Sequence, residues 1–139
     1  EDQFPSNVYT WRAHARATGA AIGTVAAHGN TSLSEALLEA ITPETGLVAC
    51  PQARWTDGAR IDLEAVGKRC REVGAALVLD LTQSCGAMVF DAQVVQPDFV
   101  AVAGYKWLLG PYSTGFLYAA PHRRKGEPLT SSRAAISSR

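Results

Sequence analysis

No apolar run among the 139 residues approaches the roughly 20 needed to cross a bilayer as a helix, so the chain does not read as a membrane protein. Excess charge is lacking as well. Thirteen Lys and Arg balance 13 Asp and Glu, and no bulk field draws the chain toward nucleic acid or an anionic surface. Cysteine is scarce and odd in number: Cys50, Cys70 and Cys85 lie far apart. They follow neither metal spacing nor a disulfide framework, which suits a reducing cytoplasm, and each reads as a small buried hydrophobe. His14, His28 and His122 are scattered, with no pair spaced for one metal on one helix, so no metal site is expected. The start, Glu1-Asp2-Gln3, has no apolar leader, and without an initiating Met the sequence reads as a piece of a longer protein.

What is present is apolar: 47 % of residues are hydrophobic, enough in 139 residues for one ordinary core and not two domains. The segment Asn7 to Thr18 reads as a helix, with Ser6 as N-cap and Gly19 as the stop. Ala20 to Ala26 reads as a short strand. Thr31 or Ser32 caps a second helix that runs through Ile41, with Glu35 in its first turn. Leu47 to Cys50 is the next strand, and Pro51 to Arg60 an irregular loop. A third helix spans Asp62 to Val73, with Leu63, Val66, Cys70 and Val73 on one stripe and Gly74 behind it. Strands ending at Asp80 and near Gly104 follow, then one at Gly115 to Ala119. Alternating strands and helices predict a soluble α/β protein with a mostly parallel sheet. From Pro121 the chain is basic and then Ser-rich. The expected division is a folded part over residues 1–120 and a poorly ordered tail over 121–139.

Two apolar runs end in charge. Ala76 to Leu79 leads into Asp80, and Phe99 to Val102 leads through Ala103-Gly104-Tyr105 to Lys106. Strands buried on both faces deliver functional residues at their carboxyl ends, so a carboxylate and an amine are expected on one sheet edge. Two readings stand. Asp80 and Lys106 form an ion pair that satisfies both charges, or they hold a ligand between them. Gln83 on the Asp80 loop, the phenol of Tyr105 and the small Gly104 suit a flat, anionic, nitrogen-containing ring with an aldehyde.

At these residues the chain resembles a known group. VLDLTQSCGA, followed by VAVAGYKWLLGP and TGFLY, is similar to the pyridoxal 5'-phosphate enzymes of the class V aminotransferase family. That family includes cysteine desulfurases, kynureninases and isopenicillin N epimerase-like proteins. EDQFPSNVY resembles the segment bearing the ring-stacking aromatic in kynureninase-like members. The resemblance implies a fold type I large domain, three-layer α/β/α, present here in part. It implies an enzyme acting on a small-molecule amino acid by aminotransferase, epimerase or lyase-type chemistry, homodimeric at full length. Lys106 would form the internal Schiff base and shuttle protons, its pKa lowered by a desolvated cavity and nearby cations. Asp80 would pair with the pyridinium nitrogen and Gln83 with the ring hydroxyl. Thr82 and Phe4 would lie on opposite ring faces, Tyr105 would reach the phosphate, and Trp55 would line the substrate pocket.

Each role has a plainer rival. Phe4 serves equally as a staple for the first helix, Tyr105 as a half-buried aromatic and Trp55 as a loop anchor. His122 to Lys125 read as a solvated basic turn. The chain also departs from the family. The segment that cradles the phosphate and the small domain that grips a substrate carboxylate are absent, and Ala103 stands where desulfurases use Ser. The alternative is therefore a non-catalytic α/β module that serves structure or dimerisation.

Overall fold

Pro5 needs no hydrogen-bond partner for its nitrogen and has a preset φ, so it opens the first helix. In the computed structural model, which describes residues 1–125, helix α1 is Pro5–Thr18. Its N-cap is Phe4, with no side-chain cap bond, and not Ser6 as expected. Gly19 ends α1 in the left-handed region and donates its N–H to Ala15 O at 2.8 Å. Residues 20–28 form no strand. Their composition suits a strand, but a strand exists only through pairing with another strand, and these residues lie outside the four-stranded sheet.

Helix α2 (Leu33–Ala40) opens with the full capping box. Ser32 Oγ accepts from the Glu35 N–H, and the Glu35 carboxylate accepts from the Ser32 N–H at 2.8 Å. Strand β1 (Leu47–Pro51), helix α3 (Leu63–Val73) and strand β2 (Ala76–Asp80) follow the expected order. On α3 the stripe packs inward, with Leu63, Val66, Gly67 and Cys70 buried and Val73 half-buried. Helix α4 (Ala92–Val95), which the sequence reading did not anticipate, precedes strand β3 (Phe99–Ala103); strand β4 (Gly115–Ala119) closes the sheet.

The sheet order is β1-β2-β3-β4, with β1, β2 and β3 parallel and β4 antiparallel to β3. Alternation along β2 sends Leu77 and Leu79 into the core with Val48, Cys50, Val66, Cys70 and Val100. Burying each such Leu stabilises the fold by about 1.5–3 kcal/mol. Helices α2, α3 and α4 form the layer on that face. Two arginines of α3 fasten it: Arg69 Nη2 donates to Ile41 O at 2.9 Å and Arg71 Nη1 to Val95 O at 2.7 Å, at the ends of α2 and α4. On the opposite face Leu47, Ala101 and Leu117 are exposed.

Asp98, buried at the start of β3, draws three segments together. Its Oδ2 accepts from the Leu77 N–H at 2.7 Å, and its Oδ1 accepts from Arg123 Nε at 2.7 Å and meets His122 Nε2 at 2.8 Å. The basic turn is solvent-exposed, as expected from sequence, yet a buried carboxylate also claims two of its side chains. Pro121–Arg123 form a single 3-10 turn. The rest of the Ser-rich tail lies outside the described residues.

Candidate active site

The carboxyl ends of β2 and β3 share one edge because the strands are parallel neighbours in register, Asp80 opposite Ala101. Two bonds continue the join past the ladder. The Leu81 N–H reaches Ala101 O at 3.0 Å, and the Ala103 N–H reaches Thr82 Oγ1 at 3.0 Å. The loop after Asp80 then crosses the loop that carries Lys106. At Gly86 (φ 95°) an added Cβ would meet the Trp107 carbonyl oxygen at 2.7 Å, so only glycine lets the two loops touch. Gly104, expected from sequence to leave room for a ligand, instead faces Thr114, whose Oγ1 would lie 2.9 Å from a Cβ there.

An open cleft of about 200 Å³ lies at this edge. It is lined by all seven residues singled out from the sequence: Phe4, Trp55, Asp80, Thr82, Gln83, Tyr105 and Lys106. Asp80 and Lys106 make no ion pair among the described residues. Asp80 is held otherwise, since Asn7 Nδ2 donates to its Oδ2 at 2.7 Å and the Thr82 N–H to its Oδ1 at 3.0 Å. Lys106 Nζ stands 6.0 Å from the centroid of the Phe4 ring, the outer range of a cation–π contact. Phe4 meets Trp55 edge-on at 5.7 Å and 88°, and Trp55 Nε1 donates to Asp2 O at 2.7 Å. Tyr105 stacks on Tyr112 with centroids 4.8 Å apart, and the pair stays open to solvent. The expected neighbouring cation is missing: among the described lining residues, Lys106 is the one basic side chain.

Asn7 is a functional residue the sequence alone does not single out, because its partner Asp80 lies 73 residues away along the chain. The cysteines do not take part in the cleft. Burial, then the neighbouring Cys70, pushes the Cys50 thiol up to about 12, and burial chiefly pushes Cys70 up to about 11. Both are protonated, unreactive thiols at neutral pH. No group of three or more His, Cys, Asp or Glu side chains among the described residues is placed to hold a metal. No helix among them is long and apolar enough to cross a membrane.

Known proteins share both the sequence pattern and the fold. The family model for aminotransferase class-V matches residues 1–135. A probable cysteine desulfurase of Streptomyces coelicolor is 33 % identical over 120 residues, covering 85 % of this chain and 28 % of that protein. A kynureninase of Deinococcus radiodurans is 29 % identical over 120 residues, 86 % of this chain and 28 % of the enzyme. The apo structure of the cysteine desulfurase from Thermococcus onnurineus NA1 superposes with a TM-score of 0.76 at 28 % identity, over 85 % of this chain and 30 % of that one. The chain thus spans less than a third of the length of these relatives. Its sheet and helices are part of the fold type I large domain of pyridoxal-phosphate enzymes, and the chain belongs to the class-V aminotransferase family.

Proposed function

We propose that this chain carries the cofactor-binding centre of a pyridoxal 5'-phosphate enzyme that acts on an amino acid, with Lys106 as the covalent anchor. The donor set fits that group. A carboxylate, an amide, a phenol and an amine converge on one cleft beside an aromatic ring, matching a ring nitrogen, a ring hydroxyl, a phosphate, an aldehyde and a flat face. One observation carries the reading. Among the described residues Asp80, half-buried at a strand end, has no cationic partner, yet Asn7 and the Thr82 amide fix both of its oxygens at the cleft. A carboxylate oriented with such care and left without a cation suits a protonated ring nitrogen.

Asp80 would keep that nitrogen protonated, Gln83 would take the ring hydroxyl, and Phe4 and Thr82 would flank the ring. Tyr105 would offer its hydroxyl to the phosphate. Lys106 would hold the cofactor aldehyde through Nζ and would move a proton at the substrate α-carbon. The bound cofactor supplies an electron sink for a substrate carbanion, shared by aminotransferase, epimerase and lyase reactions. At full length the protein works as a homodimer in the cytoplasm, where its free thiols stay reduced. The second reading, a structural or dimerisation module without turnover, draws on β4, where Phe116 is 66 % and Leu117 77 % exposed and open to a partner surface.

Absorbance separates the two. Full-length protein incubated with pyridoxal 5'-phosphate and freed of unbound cofactor should show a near-visible band shifted from that of the free aldehyde, and Lys106→Ala should abolish the shift. A wild type without the band, or a shift that survives Lys106→Ala, overturns the enzyme reading.

A further inference from the structure

Phe4 has little of its own to hold it. It precedes α1 as an N-cap without a side-chain bond and is 42 % exposed. What fixes it comes from a loop some fifty residues further along the chain. Trp55 makes two contacts at once: its Nε1 donates to the carbonyl of Asp2, and its ring meets the Phe4 ring edge-on. The first contact pins the backbone two residues before Phe4, and the second pins the ring itself.

The loop that presents Trp55 is braced against movement. The Arg54 N–H reaches Ala59 O at 2.9 Å, and the Gly58 N–H reaches Arg54 O at 2.9 Å. Arg54 Nε donates to Asp57 Oδ1 at 2.9 Å, and the Ala59 N–H reaches the same oxygen at 3.0 Å. The Ile61 N–H closes the base of the loop on Gln52 O at 2.9 Å. Bonds from Arg54 and the Ala59 amide hold the Asp57 carboxyl down to about 2, so the brace stays charged across the neutral range. Trp55 therefore stands on a fixed support, whereas the segment before α1 is held by contacts to other segments: the Glu1 ammonium donates to Val25 O at 2.7 Å, and Asp2 lies 4.0 Å from Arg54 Nη1.

We infer that Trp55 is a positioning residue that sets the Phe4 ring over the cleft, and that it makes no hydrogen bond to substrate. The inference rests on the proposed cofactor site. An indole has one donor, and here the Asp2 carbonyl occupies it, so no hydrogen bond to a substrate remains available. Edge-to-face packing fixes ring tilt as well as ring position, which a stacking aromatic requires. Without Trp55 the Phe4 ring loses its edge contact, and ordering it on cofactor binding costs more rotamer entropy.

A double-mutant cycle reads this directly. Full-length apoprotein is titrated with pyridoxal 5'-phosphate, and the dissociation constant is taken from the near-visible band. Trp55→Ala should weaken binding by about five- to tenfold, the size of one aromatic pair. In a Phe4→Ala background the same substitution should add nothing. Trp55→Phe keeps a ring and loses the N–H, so it should restore part of the affinity, and far-UV circular dichroism and thermal melts identify any variant that has unfolded. An equal loss in both backgrounds, or no loss with Phe4 present, overturns the inference while leaving the cofactor site standing. Absence of any band in wild type removes the cofactor site itself, and the inference with it.

Discussion

Asp80 and Asn7 are the pair on which the centre turns. A buried or half-buried carboxylate can point in several directions, and Asn7 selects one by donating to Oδ2 while the Thr82 amide holds Oδ1. Asn7→Leu removes the donor at nearly constant volume and leaves Oδ2 to rotate or hydrate. The loss of one charge-assisted bond is worth about 1.5–3 kcal/mol. We expect pyridoxal 5'-phosphate affinity to fall by about tenfold or more, measured in the same titration. Asp80→Ala should still link the cofactor to Lys106 but lower turnover by about two orders of magnitude, the scale of losing one preorganised electrostatic partner. Unchanged turnover in Asp80→Ala would remove the ring-nitrogen role. The sequence could pick out Asp80 because it ends an apolar run. It did not yield Asn7, since that contact joins residues 73 apart along the chain.

Elements are held together by their ends as much as by their faces. Asp98 bonds the amide of β2 residue Leu77 and two side chains of the turn Pro121–Arg123, so it ties β2, β3 and the end of β4. Burial pushes its carboxyl up, but the bonds from Arg123, the Leu77 amide and His122 outweigh that, and its pKa sits below the ordinary 3.8. Folding therefore releases its proton. The stabilisation is fully present above the ordinary value and is lost as pH falls through the lowered one. Asp98→Ala should destabilise by about 2 kcal/mol at neutral pH, through the orphaned Leu77 amide and the lost charged bonds. The difference from wild type should shrink in acid, measured by denaturant melts across pH; a gap that widens in acid would contradict the assignment.

The same elements show what a sequence makes legible. Helix α3 could be read because its stripe of three- and four-residue spacings has one solution, and Ser32 with Glu35 is a capping signal complete within four residues. Strands β1, β2 and β3 announced themselves as short apolar runs between turn residues. Ala20 to Ala26 has the same composition without a neighbour to pair with, and pairing is not written in a single segment. Helix α4 is four residues long, too short for a periodic pattern. His122 and Arg123 are exposed as expected, but their pairing with Asp98 of another segment is not written in the basic turn itself.

At the scale of the whole molecule, one sheet face is closed by α2, α3 and α4, while β4 and the face bearing Leu47, Ala101 and Leu117 stay open. The cleft lies at the sheet edge where β2 and β3 end, and its covalent anchor is the central claim. Borohydride reduction of the full-length protein with bound pyridoxal 5'-phosphate, followed by peptide mass mapping, tests it most directly. The expected result is a single stoichiometric adduct on the peptide containing Lys106. An adduct spread over Lys68 and Lys125, or none at Lys106, would contradict it.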